Sequence, residues 1–142
     1  MASFYMQWHG PAGLKKIAIK CRFMSQLLME QLGQFGIHFA TNNKDYFDTV
    51  AIKVNESGFS SADFVLAQFH KHGINLRKIN QNHVGVSFDE LTTVYDLDTI
   101  VDIFASLKKG KRQGDFTNLS EYEGRKYIPV GDHLKRTDKY MD

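Results

Sequence analysis

Apolar residues recur at three- and four-residue steps from Leu14 to Phe35, with polar residues between them. This spacing places them on one face of an α-helix. Gly10-Pro11 suits the start of the helix, because proline at a first helical position lacks only an amide that has no partner there. Gly36 suits its end. The predicted buried stripe is Leu14, Ile17, Cys21, Met24, Leu28, Leu32 and Phe35.

Two strands and a second helix are predicted next. Ile37-His38-Phe39 is a short apolar run, and Thr49–Val54 alternates like a half-buried strand, with a turn at Asn42-Asn43 between them. Ser60, followed three residues later by Asp63, is typical of a helix start in which both side chains bond free backbone amides. This second helix would bury Ala62, Val65, Leu66 and Phe69.

A hairpin and a third helix complete the pattern. Ile74–Arg77 and His83–Phe88 alternate with period two, and Asn80-Gln81-Asn82 suits the turn between them. Thr93, with Asp96 three residues on, predicts a helix start. The order indicates an α+β fold, with helices on one face of a mostly antiparallel four-stranded sheet. The third helix would bury Leu97, Ile100, Val101, Phe104 and Leu107.

The chain changes character after Leu107. Residues 108–142 hold scattered charges and glycines without apolar periodicity, so we expect a domain over 1–107 and an extended linker over 108–142. The first part carries 9 Lys/Arg against 10 Asp/Glu, and the second 9 against 6. A near-neutral domain argues against a nucleic-acid surface. The basic run Lys108–Arg112 lacks the interleaved aromatics of a nucleic-acid site and is more typical of a linker.

Composition limits the compartment and the chemistry. No run approaches the roughly 18 apolar residues of a membrane span, and no secretory or other targeting segment is apparent. We therefore expect a protein that neither contacts a membrane nor is exported. The single cysteine, Cys21, excludes an internal disulfide and a multi-cysteine zinc site, as is usual in a reducing compartment.

Few residues are candidates for chemistry. His70 and His72 flank Lys71 at a predicted helix end, and residues two apart on a helix cannot grip one metal. Lys71 lies outside the apolar stripe, whereas a lysine that holds a carbonyl cofactor must be desolvated. Asp89 and Glu90 are adjacent, so a structural role at the turn is favoured over acid–base work. These residues predict no catalytic or metal site.

Arg77, at the end of a predicted strand, is the one candidate binding residue. Its fork of donors could hold a carboxylate or a phosphate, although a surface ion pair is the more frequent role of such an arginine. From the residues alone, the chain is an α+β domain without an active site of its own.

Five segments, in order, resemble the P-proteins of the glycine cleavage system. Tyr5–Leu14 is similar to the family's Tyr-x-x-Tyr/Trp-His-Gly-Pro-x-Gly-Leu, and four further segments match after it. The resemblance covers about residues 1–107, and Leu134–Thr137 resembles the connection toward the family's second half. The four further segments are Tyr46–Thr49, Gly73–Arg77, Val84–Glu90 and Thr92-Thr93.

The resemblance implies the small domain of a fold-type-I pyridoxal-phosphate enzyme, in the N-terminal half of the family's chain. That family of oxidoreductases decarboxylates glycine on pyridoxal phosphate and passes the aminomethyl group to the lipoyl arm of H-protein. The cofactor-holding lysine lies in the family's second half, on a His-Lys-Thr segment that nothing here matches. We therefore expect no covalently bound cofactor and no catalytic residue here, with Arg77 as a possible substrate contact.

The resemblance also implies a larger protein. Met1–Phe4 has the character of a helix interior and the chain stops inside the connection, so we expect an inactive fragment whose partners are the rest of the P-protein and H-protein. The compartment would be the mitochondrial matrix in a eukaryote or the cytoplasm in a bacterium. A stand-alone ligand-binding or regulatory domain remains an alternative, and a nucleic-acid adaptor acting through the basic tail a weaker one.

Overall fold

The structure, a computed structural model, describes residues 2–42, 45–110 and 131–138. The described elements confirm the predicted order of helices and strands. They are α1 (Ala2–Gly33), β1 (His38–Phe39), β2 (Thr49–Lys53), α2 (Ala62–His70), β3 (Arg77–Asn80), β4 (His83–Ser87) and α3 (Val94–Leu107), followed by a 3-10 turn at Asp132–Leu134.

α1 consists of two helices joined at a kink. Gly10 has φ 61° and ψ 176°, a conformation that is essentially restricted to glycine. Pro11 then opens the second helix, where its missing amide costs nothing. The predicted start at Gly10-Pro11 is therefore confirmed, and a shorter helical segment, residues 2–9, precedes it.

The four strands form one antiparallel sheet in the order β1-β2-β4-β3. β2 and β4 lie at its centre, paired without interruption from Thr49↔Ser87 to Lys53↔His83. One face carries buried side chains that join residues of all three helices in a single core, and the other face is open. The buried strand residues are Val50, Ile52, Val84 and Val86.

The helix starts are partly as predicted. Thr93 and Asp96 form the expected capping box of α3, each side chain bonding the other's backbone amide. The N-cap of α2 is Ser61, whose hydroxyl accepts a hydrogen bond from the Phe64 amide at 3.1 Å. The prediction of Ser60 was wrong, because Ser61 holds the capping position and the Asp63 carboxylate pairs with the Lys78 Nζ at 2.6 Å instead.

The third strand is displaced from its predicted position. β3 covers Arg77–Asn80, and the prediction of a strand over Ile74–Arg77 was wrong. Ile74 and Leu76 pack partly buried against the core but lie in the connection from α2. Their alternation reflects this packing, whereas all four residues of β3 are exposed and give no hydrophobic signal. Arg77 therefore begins a strand instead of ending one.

The predicted linker is described only in part. α3 ends at Leu107, and Lys108 folds back so that its Nζ donates to the Ser57 carbonyl oxygen at 2.7 Å. Residues 111–130 and 139–142 lie outside the described residues, as does Asn43 of the predicted turn. The expectation of an extended linker over 108–142 stays a prediction.

Candidate functional site

Arg77 lies at the edge of the sheet, on its open face. Its register partner is Gly85 of β4, and a Cβ added at Gly85 would lie 3.6 Å from the Arg77 Cβ. Both residues therefore face away from the core. The Arg77 side chain is exposed, and no ion pair or hydrogen bond of its guanidinium is found within the described residues. The more frequent surface ion pair is thus not present there, and the carboxylate role stays a prediction.

The surface beside Arg77 is filled by an isoleucine. The register of β3 and β4 shifts between Lys78 and Asn80, and the Ile79 side chain lies over Gly85, whose added Cβ would come within 3.4 Å of the Ile79 Cδ1. A side chain at position 85 would push against Ile79. The open face therefore presents Arg77 next to a small apolar surface instead of a recess.

The His70-Lys71-His72 stretch lies at the solvated end of α2. All three residues are exposed, and the Lys71 Nζ donates to the Gln68 Oε1 at 2.9 Å. An exposed ammonium with a side-chain amide as partner has none of the desolvation that cofactor attachment needs. Throughout the described ranges, no group of three or more His, Cys, Asp or Glu residues is placed to hold a metal ion.

A surface cleft of about 530 Å³ lies between α2 and α3. Its lining includes His72 but neither Lys71 nor Arg77, so it does not coincide with any predicted binding residue. Its walls expose both apolar and polar atoms, including two carboxylates. They consist of Gln68, His72, Tyr95, Asp98, Thr99, Asp102, Ile103, Ser106 and Leu107.

A group of polar residues at one end of the sheet, here called the sheet-end cluster, consists of Tyr5, Lys20, Asp48, Asp89 and Glu90. The Tyr5 hydroxyl donates to the Glu90 Oε1 at 3.0 Å, and the Lys20 Nζ donates to the Glu90 carbonyl oxygen at 2.8 Å. These two bonds join both halves of the kinked α1 to the β4–α3 connection. Asp48 accepts the Phe88 amide through its carbonyl oxygen at 3.0 Å, which places it beside Asp89.

Three groups in or beneath this cluster have shifted pKa values. Hydrogen bonds from the Thr92 hydroxyl and amide, and from the Leu91 amide, lower the pKa of Asp89. Partial burial and the hydrogen bond to Glu90 raise the pKa of Tyr5. Burial, together with the negative charges of Asp48 and Glu90, raises the pKa of Cys21 beneath the cluster.

The raised pKa values favour the protonated forms of the Tyr5 hydroxyl and the Cys21 thiol, which disfavours either group as a base or a nucleophile. Asp89 stays ionised and its oxygen is used in holding the 89–92 turn. The Tyr5–Glu90 hydrogen bond links the segment 2–9 to the β4–α3 connection at one point, and the Asp89 bonds hold the turn, which supports the structural role expected for Asp89 and Glu90.

One buried residue was missed from the sequence. Arg22 is 0% exposed inside α1, with its Cζ 3.6 Å from the centroid of the Tyr46 ring. Its Nη1 donates a hydrogen bond to the Tyr46 carbonyl oxygen. The one sequence signal for its burial was its position next to Cys21, a residue of the apolar stripe. A charged residue at such a position is normally expected to be exposed to solvent.

Comparison with known proteins identifies the family. The sequence profile described as "Glycine cleavage system P-protein" matches residues 1–104. The chain belongs to the glycine cleavage system P-protein family. It is 34% identical over 141 residues to the glycine dehydrogenase (decarboxylating) of Bdellovibrio bacteriovorus. It is 32% identical over 142 residues to those of Aliivibrio fischeri strains MJ11 and ES114. Each alignment covers 99% of this chain, which spans about 14% of the relative's length.

Three of the five segments that resemble P-proteins supply residues of the sheet-end cluster. Tyr5 comes from the first segment, and Glu90 ends the segment that forms β4. Thr49 pairs with Ser87 across β2 and β4, their hydroxyl oxygens 2.8 Å apart. In this member of the P-protein family, the first of these segments is therefore bonded to the segment that forms β4. Within the described residues, no helix has both the length and the apolar character needed to cross a bilayer.

Proposed function

We propose that this chain is a structural part of a pyridoxal-phosphate-dependent glycine dehydrogenase of the glycine cleavage system. The observation that carries the proposal is the family match over residues 1–104, together with relatives that are named glycine dehydrogenase (decarboxylating). The complete enzyme would decarboxylate glycine and transfer the aminomethyl group to the lipoyl arm of H-protein. Its remaining polypeptide and H-protein are the proposed partners.

The chemistry of the described residues supports a non-catalytic share in this reaction. Pyridoxal phosphate, when bound to the complete enzyme, supplies the electron sink for decarboxylation. Lys71 is exposed at the end of its helix, and the raised pKa values of Cys21 and Tyr5 favour their protonated forms. We propose that this domain holds the cofactor-bearing part in position and that the cofactor lysine lies in that other part. Arg77 is the proposed contact for a substrate carboxylate.

A chimaeric enzyme tests this proposal. In the B. bacteriovorus glycine dehydrogenase, the part that aligns with this chain would be replaced by the chain itself. Glycine-dependent release of carbon dioxide would then be measured with H-protein and added pyridoxal phosphate. We expect activity in the chimaera, and none in the same enzyme with the part deleted. An inactive chimaera that remains folded would contradict the proposal.

The isolated chain gives a second test. We expect no cofactor to become fixed to it on borohydride treatment. A cofactor trapped on one of its lysines would show that the chain contains its own attachment site. The proposed compartment is the mitochondrial matrix for a eukaryotic source and the cytoplasm for a bacterial one, and imaging of a tagged full-length protein checks it.

A further inference from the structure

The helical segment 2–9 adds almost nothing to the core of the domain. Every residue from Ala2 to Trp8 is exposed, with Phe4 at 76% and Trp8 at 85%. An eight-residue helix is unstable alone in water, because the cost of helix nucleation is recovered only over about 12–15 residues. The segment therefore needs contacts outside itself.

The sheet-end cluster provides contacts on one side of this segment only. Tyr5 donates to Glu90 at 3.0 Å, and its ring packs on His9 with the ring centroids 4.4 Å apart. Phe4 and Trp8 are four residues apart, so they are neighbours on a helix surface, on a different side from Tyr5 and His9. That second side is aromatic, and Phe4 and Trp8 are largely uncovered by the described residues. Adjacent exposed aromatic side chains of this kind mark interaction surfaces.

We propose that Phe4 and Trp8 dock on an apolar surface of the remaining part of the same glycine dehydrogenase polypeptide. The proposal rests on the proposed function. This chain matches about 14% of the length of its relatives. The rest of such a polypeptide would be a covalently linked partner for this surface. The docked segment, bent at Gly10 and fixed by Tyr5 and Glu90, would set the orientation of this domain against that partner.

The available area favours a linked partner over a second copy of the chain. An aromatic side chain buries roughly 150–250 Å². With the exposed fractions of Phe4 and Trp8, this side of the helix offers on the order of 350 Å². A stable interface between separate molecules needs about 800 Å² from each. A partner in the same polypeptide needs less, since linkage raises its effective concentration.

Cysteine labelling of the chimaeric enzyme tests the docking. Phe4→Cys places a thiol at the proposed contact and leaves Trp8 in place. Phe64→Cys places a matched thiol on α2, at a residue that is 39% exposed. Maleimide labelling at each site is followed by peptide mass spectrometry, in the isolated chain and in the chimaera. The buried Cys21 reports whether both proteins are folded.

The two sites should respond differently. We expect the labelling rate at position 4 to fall about tenfold or more in the chimaera, with little change at position 64. Equal rates at position 4 in both proteins would overturn the docking. If position 4 stays open in a chimaera that decarboxylates glycine, only the docking fails. If position 4 is protected in an inactive chimaera, only the proposed function fails.

A second measurement needs the isolated chain alone, so the proposal stays testable if the chimaera does not fold. Amide hydrogen exchange is compared between residues 2–9 and residues 12–32, and the association state is taken from sedimentation equilibrium. We expect a monomer in which residues 2–9 exchange about 100-fold faster or more. Protection of residues 2–9 in a monomer would show that no partner is needed. Protection that accompanies dimerisation would assign the surface to a second copy. Either result overturns the proposal.

Discussion

The guanidinium of Arg22 lies over the Tyr46 ring, with its Cζ 3.6 Å from the ring centroid, and donates a hydrogen bond to the carbonyl oxygen of the same residue. Arg22 is 0% exposed and Tyr46 is 8% exposed. The Tyr46 ring therefore contacts the guanidinium, and the Tyr46 carbonyl oxygen accepts one of its hydrogen bonds. The contact attaches the middle of α1 to the segment that enters β2, and it requires a planar cation.

Replacing this arginine with lysine tests that requirement. An ammonium keeps the charge but cannot stack its plane on the ring or present the same fork. We expect Arg22→Lys to lower the free energy of unfolding by about 1–3 kcal/mol, measured by urea denaturation. Arg77→Lys, the same change at an exposed arginine, should alter it by less than about 0.5 kcal/mol. Equal losses at the two sites would contradict the structural role of Arg22.

The kink at Gly10 predicts opposite effects of one substitution at two glycines. Gly10→Ala places a Cβ on a backbone with φ 61° and should cost about 1–3 kcal/mol. Gly33→Ala, at the last residue of α1 with no atom within 4 Å of the added Cβ, should stabilise the domain by about 0.5 kcal/mol. Urea denaturation measures both. A neutral Gly10→Ala would mean that the kink is not required.

Of the two serines before α2, the sequence pattern favours Ser60, which has Asp63 three residues later, but the structure uses Ser61 as the N-cap. Ser61 caps the helix by accepting the Phe64 amide, so Ser61→Ala should lower the free energy of unfolding by about 1 kcal/mol. The Ser60→Ala variant is the matched control, and a change below about 0.5 kcal/mol is expected. Thermal melts of the two variants check this, and a larger loss at Ser60 would restore the sequence-based assignment.

The turn after β4 should make the free energy of unfolding depend on pH in the acid range. The Thr92 hydroxyl and amide and the Leu91 amide lower the pKa of Asp89 in the folded state. The folded pKa lies below the unfolded value of about 3.9. The ionised Asp89 carboxylate therefore makes its full contribution to the free energy of unfolding at pH values above the unfolded pKa. The contribution is lost as the pH falls through the folded pKa.

Comparison of the wild type with Asp89→Asn measures that contribution. At pH 7 the variant should be less stable by about 0.5–1 kcal/mol. The difference should shrink in urea titrations repeated toward pH 2. Thr92→Val, which removes the hydroxyl donor, should show the same trend. A deficit that stays constant between pH 7 and pH 2 would exclude the ionised carboxylate as its source.

Sequence reasoning succeeded where the signal was local. The Thr93–Asp96 capping box and the Gly10-Pro11 helix start depend on residues a few positions apart, and both are confirmed. The central strands β2 and β4 were found because their alternating residues bury one face. In these elements, the residues that form the sequence pattern are the same residues that form the contacts in the structure.

The errors arose where tertiary contacts decide the outcome. β3 is an edge strand with no buried residue, so its alternation carries no signal, while Ile74 and Leu76 alternate outside any strand. Burial of Arg22 depends on Tyr46, 24 residues away. The sheet-end cluster joins Tyr5 to Glu90 across 85 residues. The sequence resemblance assigned the segments of Tyr5 and Glu90 to one family, but only the fold shows that these residues are in contact.

The packing of α1 against α3 has a consequence for synthesis on the ribosome. The apolar stripe of α1 is complete at Gly33, whereas α3 starts at Val94. At roughly 5–20 residues per second, the nascent helix waits for some seconds before its last packing partner exists. During that interval, Leu28 and Leu32 present apolar surface outside any finished core. Chaperones that bind nascent chains are therefore expected to engage this stretch before translation reaches α3.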